Sequence, residues 1–377
     1  MVGGVSAADK TITNTTDGGL KTAIDGMASG DRITLDNGVY SGVNNRGIVI
    51  DKDLTIVGKS KDKVIIDAQK KDRIFTIESG SLTLINLTII NGYSQAFESG
   101  GAISNGGNLN ISGCTFSSNQ AFESGGAISN GGNLNISGCT FSSNQTSWDG
   151  GAISNGGNLN ISGCTFSSNQ AFESGGAISN DGNLSISGST FNSNRAKLDG
   201  GGAIFNDGNL TISGSTFNSN RAKLDGGAIC SFKGILRLNS VTFKNNIVGN
   251  KYNAIGLWFG AKVYKTKVTI TPAEWSNIPS STKKPDLKIS KIKKSGNYRY
   301  VYIKNIGKAA AGKSYLGVYV GKKKVKTVKV GFIKAGKYLK VKVLIAKKYK
   351  NKQKVFKVDI KNVVKESNEK NNSLKAK

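Results

Sequence analysis

One tetrapeptide sets the frame. Gly-Gly-Ala-Ile begins at Gly100, Gly125, Gly150, Gly175, Gly201 and Gly226, in steps of 25, 25, 25, 26 and 25 residues. A second marker, Phe-x-x-Asn, keeps the same beat at Phe116, Phe141, Phe166, Phe191, Phe217 and Phe243. Residues 100–120, 125–145 and 150–170 are identical, which points to duplication within the gene. A chain with such a fixed period must stack equivalent units, because no single unit can bury its apolar face alone.

Two architectures have periods near this value. Ile111-x-x-Cys114-x-Phe116-x-x-Asn119 fits the leucine-rich repeat template, so that rival needs an argument. The rest of the repeat, Gln120 to Asn133, carries four Gly and supplies no apolar helical stripe. It reads as turn, short strand, turn. The better fit is an all-β fold, a right-handed parallel β-helix with three short strands per coil. Alternation turns Ile103, Leu109, Ile111, Cys114 and Phe116 inward, and Asn110, Ser112 and Thr115 outward.

Coils stacked ~4.8 Å apart bring identical residues into ladders. Asn105, Asn130, Asn155, Asn180 and Asn206 form one Asn column; Asn119, Asn144, Asn169, Asn194, Asn220 and Asn246 form another. Asn tolerates left-handed backbone, so these columns are expected at a sharp corner, with the paired Gly at the opposite one. Upstream, Leu54–Ile56, Val64–Ile66, Ile74–Ile77 and Leu82–Ile89 continue the alternation as earlier coils. Before them, Leu20, Ile24 and Met27 have helical spacing, which suits a cap on the open end of the solenoid. The solenoid is assigned to 19–275, with the repeats at 100–250.

Charge divides the chain. Residues 281–377 hold 30 Lys and Arg against 4 Asp and Glu, whereas 1–280 hold 22 against 20. The shift falls at a small-polar stretch with two of the three Pro, so 276–285 are read as a linker. Residues 286–377 alternate strongly: Val301 and Ile303 against Tyr300 and Tyr302, then Leu339, Val341, Val343 and Ile345 against Lys340 and Lys342. About seven strands in this length suggest an antiparallel immunoglobulin-like β-sandwich. Residues 1–18 are read as a leader or signal remnant, because Val5-Ser6-Ala7-Ala8 looks like the end of a cleavage site. The expected location is therefore extracellular or at the cell surface. No stretch of 18 apolar residues exists to span a membrane as a helix.

The chain has no His, which excludes a His general base, Ser-His-Asp and Cys-His nucleophile pairs, and His-ligated metals. An acidic column, Glu98, Glu123, Asp149, Glu173, Asp199 and Asp225, precedes the Gly pairs. It is the one candidate for Ca²⁺, but one carboxylate per coil is a poor cage, so a solvated turn edge is preferred and no cofactor is expected. Cys114, Cys139 and Cys164 share a ladder position later held by Ser189, Ser215 and Val241, which fits small buried thiols rather than zinc ligands, with a disulfide between coils ~4.8 Å apart as the alternative. The basic tail offers an electrostatic surface at Lys322, Lys323, Lys324, Lys326, Lys340, Lys342, Lys347, Lys348 and Lys350. A solvated face is the plain reading; attraction to an anionic wall polymer is the functional one. With one Arg and no accompanying motif, specific nucleic-acid binding is not expected.

The residues carry a resemblance. Gly30-Asp-Arg-Ile-Thr-Leu-Asp-Asn-Gly-Val-Tyr40 looks like the opening segment of pectate-lyase-like β-helix proteins. The Gly-Gly-Ala-Ile and Phe-x-x-Asn pair resembles the repeats of polymorphic outer-membrane proteins. Pro285-Asp-Leu287, Lys304-Asn-Ile-Gly307, Ala335-Gly336 and Glu366–Asn372 resemble the cell-adhesion-related domain CARDB. The combination is similar to adhesin-like surface proteins of methanogenic archaea. This resemblance implies a secreted adhesin-like protein: a β-helix stalk for glycan or protein partners, and a basic domain docking on an anionic wall. The alternative it leaves is a β-helix polysaccharide lyase or hydrolase with a basic binding module. No catalytic residue is singled out, since outward repeat positions are Asn, Ser and Thr rather than paired carboxylates. Only Asp51, Asp53, Asp67, Asp72 and Arg73 upstream could serve an enzyme.

Overall fold

The protein is described by a computed structural model covering residues 7–95, 97–258, 261–271, 286–307, 311–312, 314–333, 336–349, 351–359 and 372–376. It divides into two units, Met1–Ile278 and Pro279–Lys377. The linker assigned to 276–285 lies outside the described residues.

The first unit is a parallel solenoid. Five-residue strands such as Asn108–Ser112 stack into an eleven-stranded sheet, here the long-strand sheet. Three-residue strands such as Thr115–Ser117 form a ten-stranded phenylalanine sheet, and those such as Ile103–Asn105 a nine-stranded isoleucine sheet. A fourth sheet adds to the three expected: two-residue strands such as Gln120–Ala121 pair coil to coil in six strands, and a seventh, Lys251–Tyr252, pairs antiparallel with Ile247–Val248. The sequence hid it because two residues are too few to show alternation. In the three main sheets register runs coil to coil, Phe116 on Phe141 and Ile111 on Ile136.

The core follows the ladders. Phe116, Phe141, Phe166, Phe191, Phe217 and Phe243 are fully buried and stack with ring centroids 4.6–5.1 Å apart. That spacing is the strand spacing, so the backbone ladder itself fixes the ring stack.

The Asn columns do more than turn corners. Asn119, Asn144, Asn169, Asn194 and Asn220 are wholly buried. Left-handed backbone falls instead on the residue before each, Ser118 (φ +57°), Ser143, Ser168, Ser193 and Ser219. The expectation for Asn is corrected: the Ser bends the chain, and the bend aims the Asn amide inward. Gly100 (φ +79°) and its equivalents take positive φ at the other corner, as expected. The second Gly of each pair is needed for space. A Cβ on Gly126 would sit 2.1 Å from the Gly151 carbonyl oxygen.

The solenoid begins earlier than residue 19. Asp9–Ile12, placed in the leader because it follows the cleavage-site-like Val5-Ser6-Ala7-Ala8, forms a strand parallel to Asp31–Leu35, with Ile12 buried. The helix Gly19–Asp25 follows and buries Leu20, Ala23 and Ile24, with Met27 beyond it, against the first coils.

The second unit is a sandwich of two antiparallel sheets. One has three strands, Leu287–Ser295, Tyr298–Asn305 and Tyr338–Leu344; the other has four, Lys323–Val330, Ser314–Val320, Lys354–Lys357 and Ser373–Ala376. Between them lie Val301, Ile303, Leu316, Val318, Val343 and Phe356, the inward half of the alternation.

Candidate functional site

The long-strand sheet presents its outward side chains as parallel amide ladders. Asn133 donates to Asn108 at 2.9 Å, Asn158 to Asn133 at 3.0 Å and Asn183 to Asn158 at 3.1 Å. One residue pair along, Asn135 donates to Asn110 and Asn160 to Asn135, each at 2.9 Å. In-register pairing produces this, because every outward Asn meets its copy one strand spacing away. Shallow grooves run along the face, one lined by Asn110, Ser112, Asn135, Ser137, Asn160 and Ser162. Each amide in the run still has a lone pair or an N–H turned to solvent, so the face can donate and accept along its length. From Asn108 to Ser213 the outward positions of this sheet hold no carboxylate.

The acidic column separates into two registers. Glu123 donates its backbone N–H to Glu98, and Glu173 to Trp148, so these share one row. Asp149 and Asp225 stand one residue nearer their Gly and are buried; Asp149 accepts from the Ser174 N–H at 3.1 Å. The one-residue difference is present in the spacing to the Gly pair, two residues for Glu123 and one for Asp149, and grouping the acids into one column passed over it. Among the described residues, no group of three or more Cys, Asp or Glu is placed to hold a metal ion.

Upstream, Asp67 accepts from the Gln69 N–H and the Asn91 amide, Asp72 caps the Arg73 N–H, and Arg73 pairs with Glu98 at 2.6 Å. These bonds close turns and join adjacent coils.

Cys114, Cys139, Cys164 and Cys230 are buried free thiols. The Cys114 N–H donates to the Cys139 sulfur at 3.3 Å, and the Cys164 N–H to Ser189 Oγ at 3.1 Å. Its hydrogen bond with Cys114 and burial push the Cys139 thiol up to about 12. Asp225 joins its coil to the next one: it accepts from Trp258 Nε1, from the Gly226 N–H at 2.8 Å and from Asn253 at 3.2 Å. Burial raises its carboxyl above the ordinary range, and the three donors only partly offset this.

A set of exposed aromatics escaped the sequence reading. Phe97 is 80% exposed, with the Phe122 ring 5.8 Å away; Phe172 keeps the same register two coils on, and Trp148 is exposed one residue off it, in the row of Glu123 and Glu173. They stand two or three residues before each Gly pair, inside segments that look only like turns.

On the sandwich, Lys322 lies exposed in a turn, and Lys323, Lys324 and Lys326 are exposed on the edge strand Lys323–Val330. Lys340 and Lys342 are exposed on Tyr338–Leu344, the edge of the other sheet, so the structure does not gather the lysines into one cluster. Lys348 is exposed in the 3₁₀ turn Lys347–Tyr349. The side chain of Lys347 and all of Lys350 lie outside the described residues. Lysine on edge strands also discourages edge-to-edge pairing, which accounts for part of the pattern. The Tyr partners of these lysines were not foreseen. Lys340 sits 4.2 Å from the Tyr300 ring centroid and Lys342 4.1 Å from that of Tyr298.

Comparison with known proteins agrees with this geometry. Residues 29–217 match the family described as "Right handed beta helix region". Residues 284–376 match CARDB, and 214–231 match the Chlamydia polymorphic membrane protein repeat. A cell-surface protein domain from Methanosarcina acetivorans is similar at 22% identity, covering 24% of this chain and 88% of its own, with a TM-score of 0.22. A Pyrococcus furiosus CARDB domain, solved with two metal ions, is 22% identical over 27% of this chain and 95% of its own (TM-score 0.20). Pectin methylesterase PemA from Erwinia chrysanthemi is 13% identical over 73% of this chain and 93% of its own (TM-score 0.39). No curated protein matches the chain.

Proposed function

Because the chain belongs to the right-handed β-helix family, we propose that it is a surface-associated binding protein of adhesin type. The solenoid is the stalk and recognition surface for a glycan or protein, and the basic sandwich docks on an anionic wall or surface. The observation that supports this best is the outward face of the long-strand sheet. Its stacked amides offer donors and acceptors in register, the chemistry that reads sugar hydroxyls or peptide groups, without a carboxylate pair for turnover. The proposed role is binding rather than catalysis.

The test is retention of the full chain on purified cell-wall particles, compared with an Asn135→Asp/Asn160→Asp double variant. Two carboxylates on adjacent coils repel at the surface and leave the core intact. The proposal expects retention to fall with the thermal midpoint nearly unchanged. Unchanged retention removes the ladder face as the recognition surface. Release of new reducing or unsaturated ends from the particles replaces the binding role with an enzymatic one.

A further inference from the structure

The outer face of the three-stranded sheet has an order that net charge alone does not require. Its middle strand presents Tyr298, Tyr300, Tyr302 and Lys304 outward. On one side stand Lys288, Lys291 and Lys293; on the other, Tyr338, Lys340 and Lys342. Register crosses these columns directly: Lys291 faces Tyr302, which faces Lys340, and Lys293 faces Tyr300, which faces Lys342. The six lysines are exposed, and none of the three strands contains an Asp or Glu.

We propose that this face is a binding site for an extended acidic polysaccharide. The inference rests on the reading of the sandwich as the docking unit and names its surface and ligand class. Three features argue for it. The Lys340 and Lys342 ammonium groups lie on tyrosine rings, which holds them at fixed places on the sheet instead of fanning into solvent. Tyr338, 67% exposed, tilts against Tyr302 at 6.1 Å and leaves open aromatic surface beside those cations. Such a ring stacks on the apolar face of a sugar while neighbouring ammonium groups meet its carboxylates. Finally, the single guanidinium of the domain, Arg299, is buried, so the face is lysine alone. Point charges suit scattered carboxylates, whereas phosphate and base recognition favours the planar Arg fork. These features favour an acidic glycan over nucleic acid.

The experiment measures binding of the full chain to polygalacturonate, to its fully methyl-esterified neutral form, and to duplex DNA. Expected is binding to polygalacturonate and not to the ester. Lys340→Gln/Lys342→Gln should weaken it by about tenfold, and Tyr338→Ala by about fivefold. The control pair Lys329→Gln/Lys375→Gln, exposed on the other sheet, should change it less than about twofold. Equal losses from both lysine pairs, or no loss from Tyr338→Ala, overturn the site in favour of diffuse charge. Tighter retention on DNA than on polygalacturonate overturns the ligand class. A wild-type chain that binds no polyanion at all removes the docking reading beneath it.

Discussion

Asn144 gives Asn169 two hydrogen bonds at once: its backbone N–H at 3.0 Å and its side-chain amide at 2.9 Å both reach the Asn169 Oδ1. The second amide hydrogen of Asn144 goes back to the Phe116 carbonyl at 3.0 Å, and its own Oδ1 receives the same pair of bonds from Asn119. Every polar capacity of this buried side chain is used. Replacing Asn169 by Ala strands a backbone N–H and an amide of Asn144, and frees the Phe141 carbonyl that Asn169 satisfied. The expected cost is about 2–4 kcal/mol, read as a shift in the denaturant midpoint of the first unit. Asn169→Asp, which keeps the acceptor and loses the donors, should also destabilise.

The phenylalanine stack carries the apolar counterpart. Phe166 lies between Phe141 and Phe191 with ring centroids 4.8 Å away on each side. Its neighbours are fixed by the backbone ladder and cannot close over a void. Phe166→Ala is therefore expected to cost about 3–5 kcal/mol in denaturant unfolding. A change within surface scatter would mean the ring does not pack inward.

These ladders were legible because two periods coincide in them. Leu109 and Ile111 alternate every two positions along their strand and recur every 25 or 26 residues along the chain, and Phe116 and Asn119 recur with them as one spaced motif. Where only one period operates, the sequence said less. Ser118 and Ser143 take left-handed backbone, a property of corner geometry that Ser composition does not announce. Asp149 falls one residue off the register of Glu123, an offset present in its spacing to Gly150, but its burial and its bond from the Ser174 N–H appear only in the fold. Lys340 and Lys342 could be named as basic residues, yet their Tyr partners are more than 35 residues away in sequence. Antiparallel register, including the irregularity between Ile289 and Lys291, had to be known before the columns on that face emerged.

Asp225 makes stability depend on pH in a fixed direction. Burial raises its carboxyl above the ordinary 3.8, so the folded chain holds this proton more tightly than the unfolded chain. Its contribution is fully present below the unfolded value and is lost as pH rises through the folded one. Asp225→Asn keeps a neutral group that still accepts from Trp258 or Gly226 and removes this titration. The wild-type stability, taken relative to Asp225→Asn, should therefore fall on going from about pH 3.5 to pH 7. Thermal unfolding of both proteins across that range measures it, and a difference that rises with pH would reverse the assignment.

Two glycines on either side of the strand Ile128–Asn130 separate space from flexibility. A Cβ on Gly126 would lie 2.1 Å from the Gly151 oxygen and 2.5 Å from the Gln145 oxygen, both backbone atoms held in the coil-to-coil ladder. Neither can retreat without opening that ladder, so Gly126→Ala is expected to cost about 3 kcal/mol or more. A Cβ on Gly131 would meet only the Asn105 oxygen, at 3.7 Å, an ordinary contact, and this residue is not among those with positive φ. There Ala restricts the unfolded chain without straining the folded one, and Gly131→Ala should leave stability unchanged or raise it by up to about 1 kcal/mol. Denaturant unfolding of the two single variants provides the comparison. Equal losses would mean that both glycines serve backbone conformation, and that close approach of the coils does not explain the second Gly of each pair.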